Sequence, residues 1–204
     1  SYSGIDSDVK QGLYELIQPF EPDTSKWFAR PGVRSLVAHP RILDLMGVKY
    51  EAEPDGSYII CPNALARLSL FNDYEVVKGS GAMIQRMKQK SFDPTKTLLV
   101  EEAPEWASVE PRKKKRFLEV PFQVVSVNEI EASLNLEQPG VLLFNEGYSP
   151  YWRAFFNGKP LVVFKANGYF MGINIPATQG KLVLEFYPRS FLMWAEVTKI
   201  MLLT

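Results

Sequence analysis

Residues 151–176 read YWRAFFNGKPLVVFKANGYFMGINIP, a series of apolar runs broken by Asn-Gly pairs that points to a β fold. Asn157-Gly158 sits between two apolar runs of strand length. A two-residue type I′ turn needs positive φ at both central positions, which Asn and Gly tolerate, so the pattern predicts a β-hairpin. Strand alternation then sorts the side chains. Trp152, Ala154 and Phe156 point one way, and Tyr151, Arg153 and Phe155 point the other. Downstream, Met171, Ile173 and Ile175 share a face, as do Leu182, Leu184 and Phe186. These are assigned to the core with Trp152, which is thereby removed from the binding candidates. The opposite faces carry Phe155, Phe170, Val183 and Tyr187, too apolar a set for a freely solvated sheet, so a covering element is expected.

Working outward, the same grammar extends over the second half. FLEVPFQVVSV, EIEASLNLE, GVLLFNEG and KLVLEFY are strand-like, with turns at Asn128-Glu129, Pro139-Gly140, Asn167-Gly168 and Thr178-Gln179-Gly180. That spacing is the one expected of an all-β sandwich or barrel, and an antiparallel β-sandwich of the jelly-roll or Ig-like kind is the expectation for residues 106–204. The first half mixes signals. Asp8 to Ile17 reads as a helix stopped by Pro19 and Pro22, and Pro40 to Met46 as a short helix with Gly47 past its end. VKYEAE (48–53) and SYIIC (57–61) read as strands about an Asp55-Gly56 turn, followed by ARLSLF (66–71). Gly79-Ser80-Gly81 opens a further helix with Ser80 as its expected N-cap and Ala82, Met83, Arg86, Met87 and Lys90 on one face. TLLVEE (97–102) reads as a strand. APEWASVEPRKKKR (103–116) is rich in proline and charge, and marks a boundary between a small α+β unit, 1–105, and the sandwich. The fold class is therefore mainly β with an α+β N-terminal part.

The 23 basic and 23 acidic residues cancel, so no overall field draws the 204-residue chain onto nucleic acid. No apolar stretch reaches the ~18 to 20 residues that cross a bilayer, and the N-terminus lacks the pattern of a signal peptide. The fragment is expected to be soluble. The apolar run FLMWAEVTKIMLLT (191–204) reads either as a last strand or as the approach to a membrane helix. Cys61 is the single cysteine, so no internal disulfide forms, and a buried hydrophobe is expected of it.

Chemistry is sparse. One histidine, His39, excludes a multi-histidine metal site, and no phosphate-binding glycine motif or CxxC occurs. No catalytic residue, metal or cofactor is implied. Glycoside hydrolysis needs two carboxyl groups roughly 5 to 9.5 Å apart. Glu101 and Glu102 face opposite ways in a strand, whereas Glu146 and Glu185 would have to meet across strands. Arg112, Lys113, Lys114, Lys115 and Arg116 form the one dense basic run. At an anionic surface each contributes on the order of 1 kcal/mol, although a solvated linker is the simpler reading of the run. Nucleic acid would want aromatic interleaving, which is absent. Tyr148, Tyr151, Arg153, Phe155 and Tyr169 are the candidate carbohydrate-binding platform. The simpler expectation for these rings is packing against the first-half unit.

Tyr148 to Ala154, Asn157 to Lys159, Lys165 to Gly168, Pro176 to Gly180 and Tyr187 to Phe191 together resemble the C-terminal part of the YfhO family of bacterial multi-spanning membrane proteins, relatives of GT-C type glycosyltransferases. YSGIDS, LDLMGVKYEAE, NALARLSLFNDYEVV and SFDPTKTLLVEE resemble the segment preceding it there. A glycine usually follows the Ser-Phe pair in that family, where this chain has Leu192. The resemblance implies a parent embedded in the cell membrane, with this segment on its extracytoplasmic face. It implies a system that transfers sugars from lipid-linked donors to cell-envelope glycans. It gives this segment no catalytic role, since the GT-C catalytic acid sits in an early loop outside it. The implied partners are the membrane-spanning remainder of the same polypeptide and a cell-envelope glycan or lipid-linked sugar. A stand-alone carbohydrate-binding β-sandwich is the alternative.

Overall fold

The computed structural model describes residues 40–52, 55–104 and 117–188. The helix expected at Asp8 to Ile17, His39, the basic run 112–116 and residues beyond 188 lie outside the described residues.

Helix α1 spans Pro40–Leu45, and Gly47 adopts φ 71 just past its end, as its sequence predicts. Strands β1 (Tyr50–Ala52) and β2 (Tyr58–Ile60) form a two-stranded antiparallel ribbon. In its turn, Gly56 has φ 87 and the Ser57 N–H donates to Asp55 Oδ1 at 2.9 Å. Strand β3 (Leu68–Phe71) follows, then β4 (Tyr74–Val76), helix α2 (Ser80–Lys88) and β5 (Leu98–Val100), with β4 and β5 parallel. Strand β4 is not among the strands read from the sequence. The expected cap is also different: Gly79, at φ 84, holds the N-cap position with no side-chain hydrogen bond, and Ser80 is already helical. A glycine reaches that φ without strain, so the helix starts one residue early.

The second half contributes β6 (Leu118–Glu119), β7 (Gln123–Ser126), β8 (Glu129–Asn135), β9 (Gly140–Gly147), β10 (Trp152–Phe156), β11 (Lys159–Leu161), β12 (Val163–Ala166), β13 (Phe170–Ile175) and β14 (Gln179–Phe186). Asn157 and Gly158 take φ 50 and 76 and Phe156 pairs with Lys159, which is the hairpin the sequence predicts.

The strands form a five-stranded sheet, β11-β10-β14-β8-β7, and a seven-stranded sheet, β4-β5-β12-β13-β9-β3-β6. Between them lies one core. Leu70, Leu142, Phe144 and Ile173 come from the larger sheet, and Ile130, Phe156, Leu182 and Leu184 from the smaller. The arrangement is β-sandwich-like, and each fully buried aliphatic or aromatic side chain stabilises it by about 1.5 to 3 kcal/mol.

A second core covers the other face of the larger sheet. Ile42 and Leu45 of α1 and Met83 and Met87 of α2 pack there with Phe71, Leu143 and Phe170. The covering expected for Phe170 is thus present and comes from the first half. Phe155 and Val183, grouped with Phe170 in the sequence reading, lie in the other sheet and are half-buried. Alternation orders faces within a strand but does not say which sheet the strand joins. The boundary placed at 105/106 falls between β5 and β6, and strands from both sides of it share the seven-stranded sheet.

Candidate functional site

The β10–β11 hairpin and the segment entering it build a shallow cleft of about 260 Å³, bordered by Tyr148, Trp152, Arg153, Phe155 and Pro160. Its position follows from the turn. Because the loop has two residues, Phe155 stands opposite Pro160 and Ala154 opposite Leu161, which places a proline and an aliphatic residue beside the rings. Ser149, buried below, accepts a hydrogen bond at its Oγ from the Tyr151 N–H at 3.3 Å and orders the approach to the strand. The Tyr148 N–H donates to the Tyr169 carbonyl at 2.7 Å, tying this segment to the larger sheet's β12–β13 turn.

Trp152 is half-buried. Its ring meets Phe144 edge-on at 4.9 Å and Phe186 at 5.4 Å, so it belongs to the inter-sheet core and also walls the cleft. The Arg153 guanidinium stacks 3.8 Å from the centroid of Tyr187, and Lys165 Nζ lies 5.4 Å from that of Tyr148. Both are cation–π distances.

Of the five residues the sequence groups as a platform, Tyr148, Arg153 and Phe155 line this cleft. Tyr151 stands beside it, its ring 6.2 Å from Phe186. Tyr169 is 9% exposed, packs edge-on against Phe170 at 5.1 Å and belongs to the helix-covered core. Burial, and then the charge of Glu146, push its hydroxyl above the usual tyrosine range. Sequence reading missed Pro160 and Leu161 as cleft residues, although the Asn157-Gly158 loop length is the signal that locates them.

Glu146 and Glu185 lie in different sheets. Glu146 pairs with Arg67 at 3.0 Å, and Glu185 stands in register between Arg153 and Glu129. Glu101 and Glu102 follow β5 on exposed backbone rather than within a strand. A second cleft, about 330 Å³, lies at the β7 edge beside Phe122, Gln123 and Ser133. There Lys181 and Glu131 form an ion pair at 2.6 Å. Cys61 is half-exposed rather than buried; partial burial, followed by the charges of Glu51 and Asp44, pushes its thiol up. Among the described residues no group of three or more His, Cys, Asp or Glu is placed to hold a metal ion. Nor, among them, is any helix long and apolar enough to cross a membrane.

Residues 112–198 match the family model described as "Bacterial membrane protein YfhO". The matched segment contains β6 to β14, whereas β3, β4 and β5 of the shared sheet precede it. No curated protein matches the chain. Among solved structures, the arabinofuranosyltransferase AftD from Mycobacteria aligns at 23% identity over 39% of this chain, with a TM-score of 0.34. A mutant form of the same protein aligns at 26% identity with the same score. The chain covers 6% of the length of either. The sequence thus carries a family-level link to YfhO-type bacterial membrane proteins.

Proposed function

We propose that the chain is a non-catalytic extracytoplasmic module of a membrane-embedded, glycosyltransferase-like protein that modifies cell-envelope glycans. The observation that carries this reading is the match of residues 112–198 to the YfhO model. The β-sandwich-like architecture supports it, and the description of that sandwich as jelly-roll or Ig-like belongs to the same proposal. In this role the module works against the membrane-spanning remainder of its own polypeptide. It covers the outer face of that part and holds an acceptor glycan or a lipid-linked sugar near it. Arg112 to Arg116 supply a local positive charge for an anionic surface. The full coding sequence tests the reading: flanking segments with a cluster of apolar helices of ~20 residues are expected, and a gene that encodes none contradicts it.

A second reading, a stand-alone carbohydrate-binding module, is favoured by one observation: Tyr148, Arg153 and Phe155 border one cleft with Trp152. Ring faces suit the C–H side of a pyranose, and a guanidinium offers donors to its hydroxyls. Calorimetric titration with cell-wall saccharides checks it. Binding that falls on Tyr148→Ala and Phe155→Ala supports the module, and no heat at millimolar saccharide removes it.

A further inference from the structure

The ribbon β1–β2 joins neither large sheet. Its register pairs Tyr50 with Ile60 and Ala52 with Tyr58, so these four side chains share one face, while Glu51 and Ile59 take the other. Tyr50, Tyr58 and Ile60 are 64%, 65% and 63% exposed. None of the four belongs to either core. The two tyrosine rings meet edge-on at 5.5 Å, which sets the face in one arrangement before anything covers it.

A two-stranded hairpin alone is marginal in water, and a contiguous apolar face on one marks a contact surface. The charges say what kind. The Tyr50–Tyr58 face carries none. Glu51 points away from it, and Asp55 sits in the turn, its carboxyl held below the usual range by hydrogen bonds from Ser57. The face is too small for a stable protein partner. Two tyrosines with an isoleucine and an alanine offer on the order of 400 Å², against the roughly 800 Å² per side of a specific interface. A lipid surface needs no matched area, and it favours tyrosine, whose ring sits among acyl chains and whose hydroxyl sits at headgroup level.

We propose that the β1–β2 ribbon lies flat on a lipid bilayer, with Tyr50, Ala52, Tyr58 and Ile60 facing the membrane and Glu51, with the 51% exposed Ile59 beside it, on the face turned to water. This draws on the reading that the chain works beside a membrane, yet it can fail separately.

The test is co-sedimentation of the full 204-residue chain with uncharged phosphatidylcholine vesicles, which removes any electrostatic contribution of the basic run. The wild-type chain sediments with the vesicles. Combining Tyr58→Ser with Ile60→Ser lowers the partition about tenfold with an unchanged thermal midpoint, since neither side chain is in a core. Val127→Ser, at an exposed apolar residue elsewhere, leaves the partition as it was. The proposal is overturned if the wild-type chain stays in solution, if the double variant binds equally, or if Val127→Ser loses as much. It is also overturned if the lipid-free chain dimerises and the double variant does not, which would make a second copy the occupant. Failed vesicle binding with membrane helices encoded beside the chain sinks the ribbon alone. Vesicle binding with no such helices sinks the functional reading alone.

Discussion

Strands β8 and β9 follow one another in the chain and lie in opposite sheets, and their burial differs in kind. In β9, Gly140 to Phe144 are buried without interruption, whereas β8 buries alternate residues, Ile130, Ala132 and Leu134. The difference follows from what covers each sheet. The larger is packed on both faces, by the other sheet and by α1 and α2. The smaller turns one face outward, where Arg153, Glu185 and Glu129 stand in one cross-strand row. A strand buried on both faces reads as a continuous apolar run, and a strand buried on one face reads as alternation.

The two Asn-Gly turns repeat this contrast on a smaller scale. Asn157 donates its N–H to the Lys181 carbonyl at 2.9 Å and accepts the Lys181 N–H at Oδ1 at 2.8 Å. Asn167 does the same to Leu99, with both bonds at 2.8 Å. In each turn a side-chain amide replaces one backbone partner and pins the hairpin to a third strand. Asn157 is exposed, whereas Asn167 has no exposed surface.

The largest effect should come from dividing the chain at residue 105. A fragment 106–204 loses β3, β4, β5 and both described helices. It therefore loses the cover over Val141, Leu143 and Phe170, and Leu68 and Leu70 from the inter-sheet core. We expect no cooperative thermal transition by calorimetry, together with binding of a hydrophobic dye. A fragment that melts with the midpoint of the whole chain would make the two segments independent domains.

Asn167→Ala comes next. It strands the buried Leu99 N–H, at about 1 to 3 kcal/mol, and puts alanine, which tolerates left-handed backbone less well than asparagine, at φ 49, at up to about 1 kcal/mol. Loss of the unpartnered Asn167 Nδ2 offsets part of this. The net cost expected in urea unfolding is about 3 kcal/mol. Asn157→Ala should cost about 1 kcal/mol, mostly from alanine's poorer tolerance of left-handed backbone, because water can reach the freed Lys181 N–H. Glycine at each position sharpens the comparison. It relieves the backbone, so Asn157→Gly should be within about 1 kcal/mol of wild type while Asn167→Gly remains clearly destabilised. Equal losses at the two sites would contradict the role given to burial.

The smallest effect is on pH dependence. Tyr169 titrates above its ordinary value of 10.0 in the folded chain, so the stability tied to its neutral form is complete below that pH and is lost as pH rises past it. Tyr169→Phe should flatten the alkaline arm of a stability-against-pH curve. An unchanged arm would mean that the hydroxyl is not held neutral by the core.

The legible part of this fold was the part carried by turns. Asn157-Gly158 located a hairpin, its register and, through loop length, Pro160 opposite Phe155. Gly47 and Asp55-Gly56 marked other turns correctly. Missing from the sequence was the pairing between distant segments. Tyr74 to Val76 is three residues at a sheet edge, and its parallel partner lies across α2, so no local alternation announces it. Tyr169 could be grouped with an exposed platform or packed against the first-half unit, and local pattern does not choose; Asn167 pulls its turn onto β5 and the ring packs in the helix-covered core. Trp152 illustrates a third limit. Alternation assigned it inward, which is correct, but at the sandwich rim an inward side chain also walls a cleft.

Sidedness in the full polypeptide separates an outward-facing module from a cytoplasmic one. Val127 is 97% exposed, so Val127→Cys, combined with Cys61→Ser, offers an accessible thiol at a site outside both cores. Applied to intact cells, a membrane-impermeant maleimide should label the introduced cysteine when the module faces outward. Labelling that requires lysis would place it on the cytoplasmic side and contradict the account.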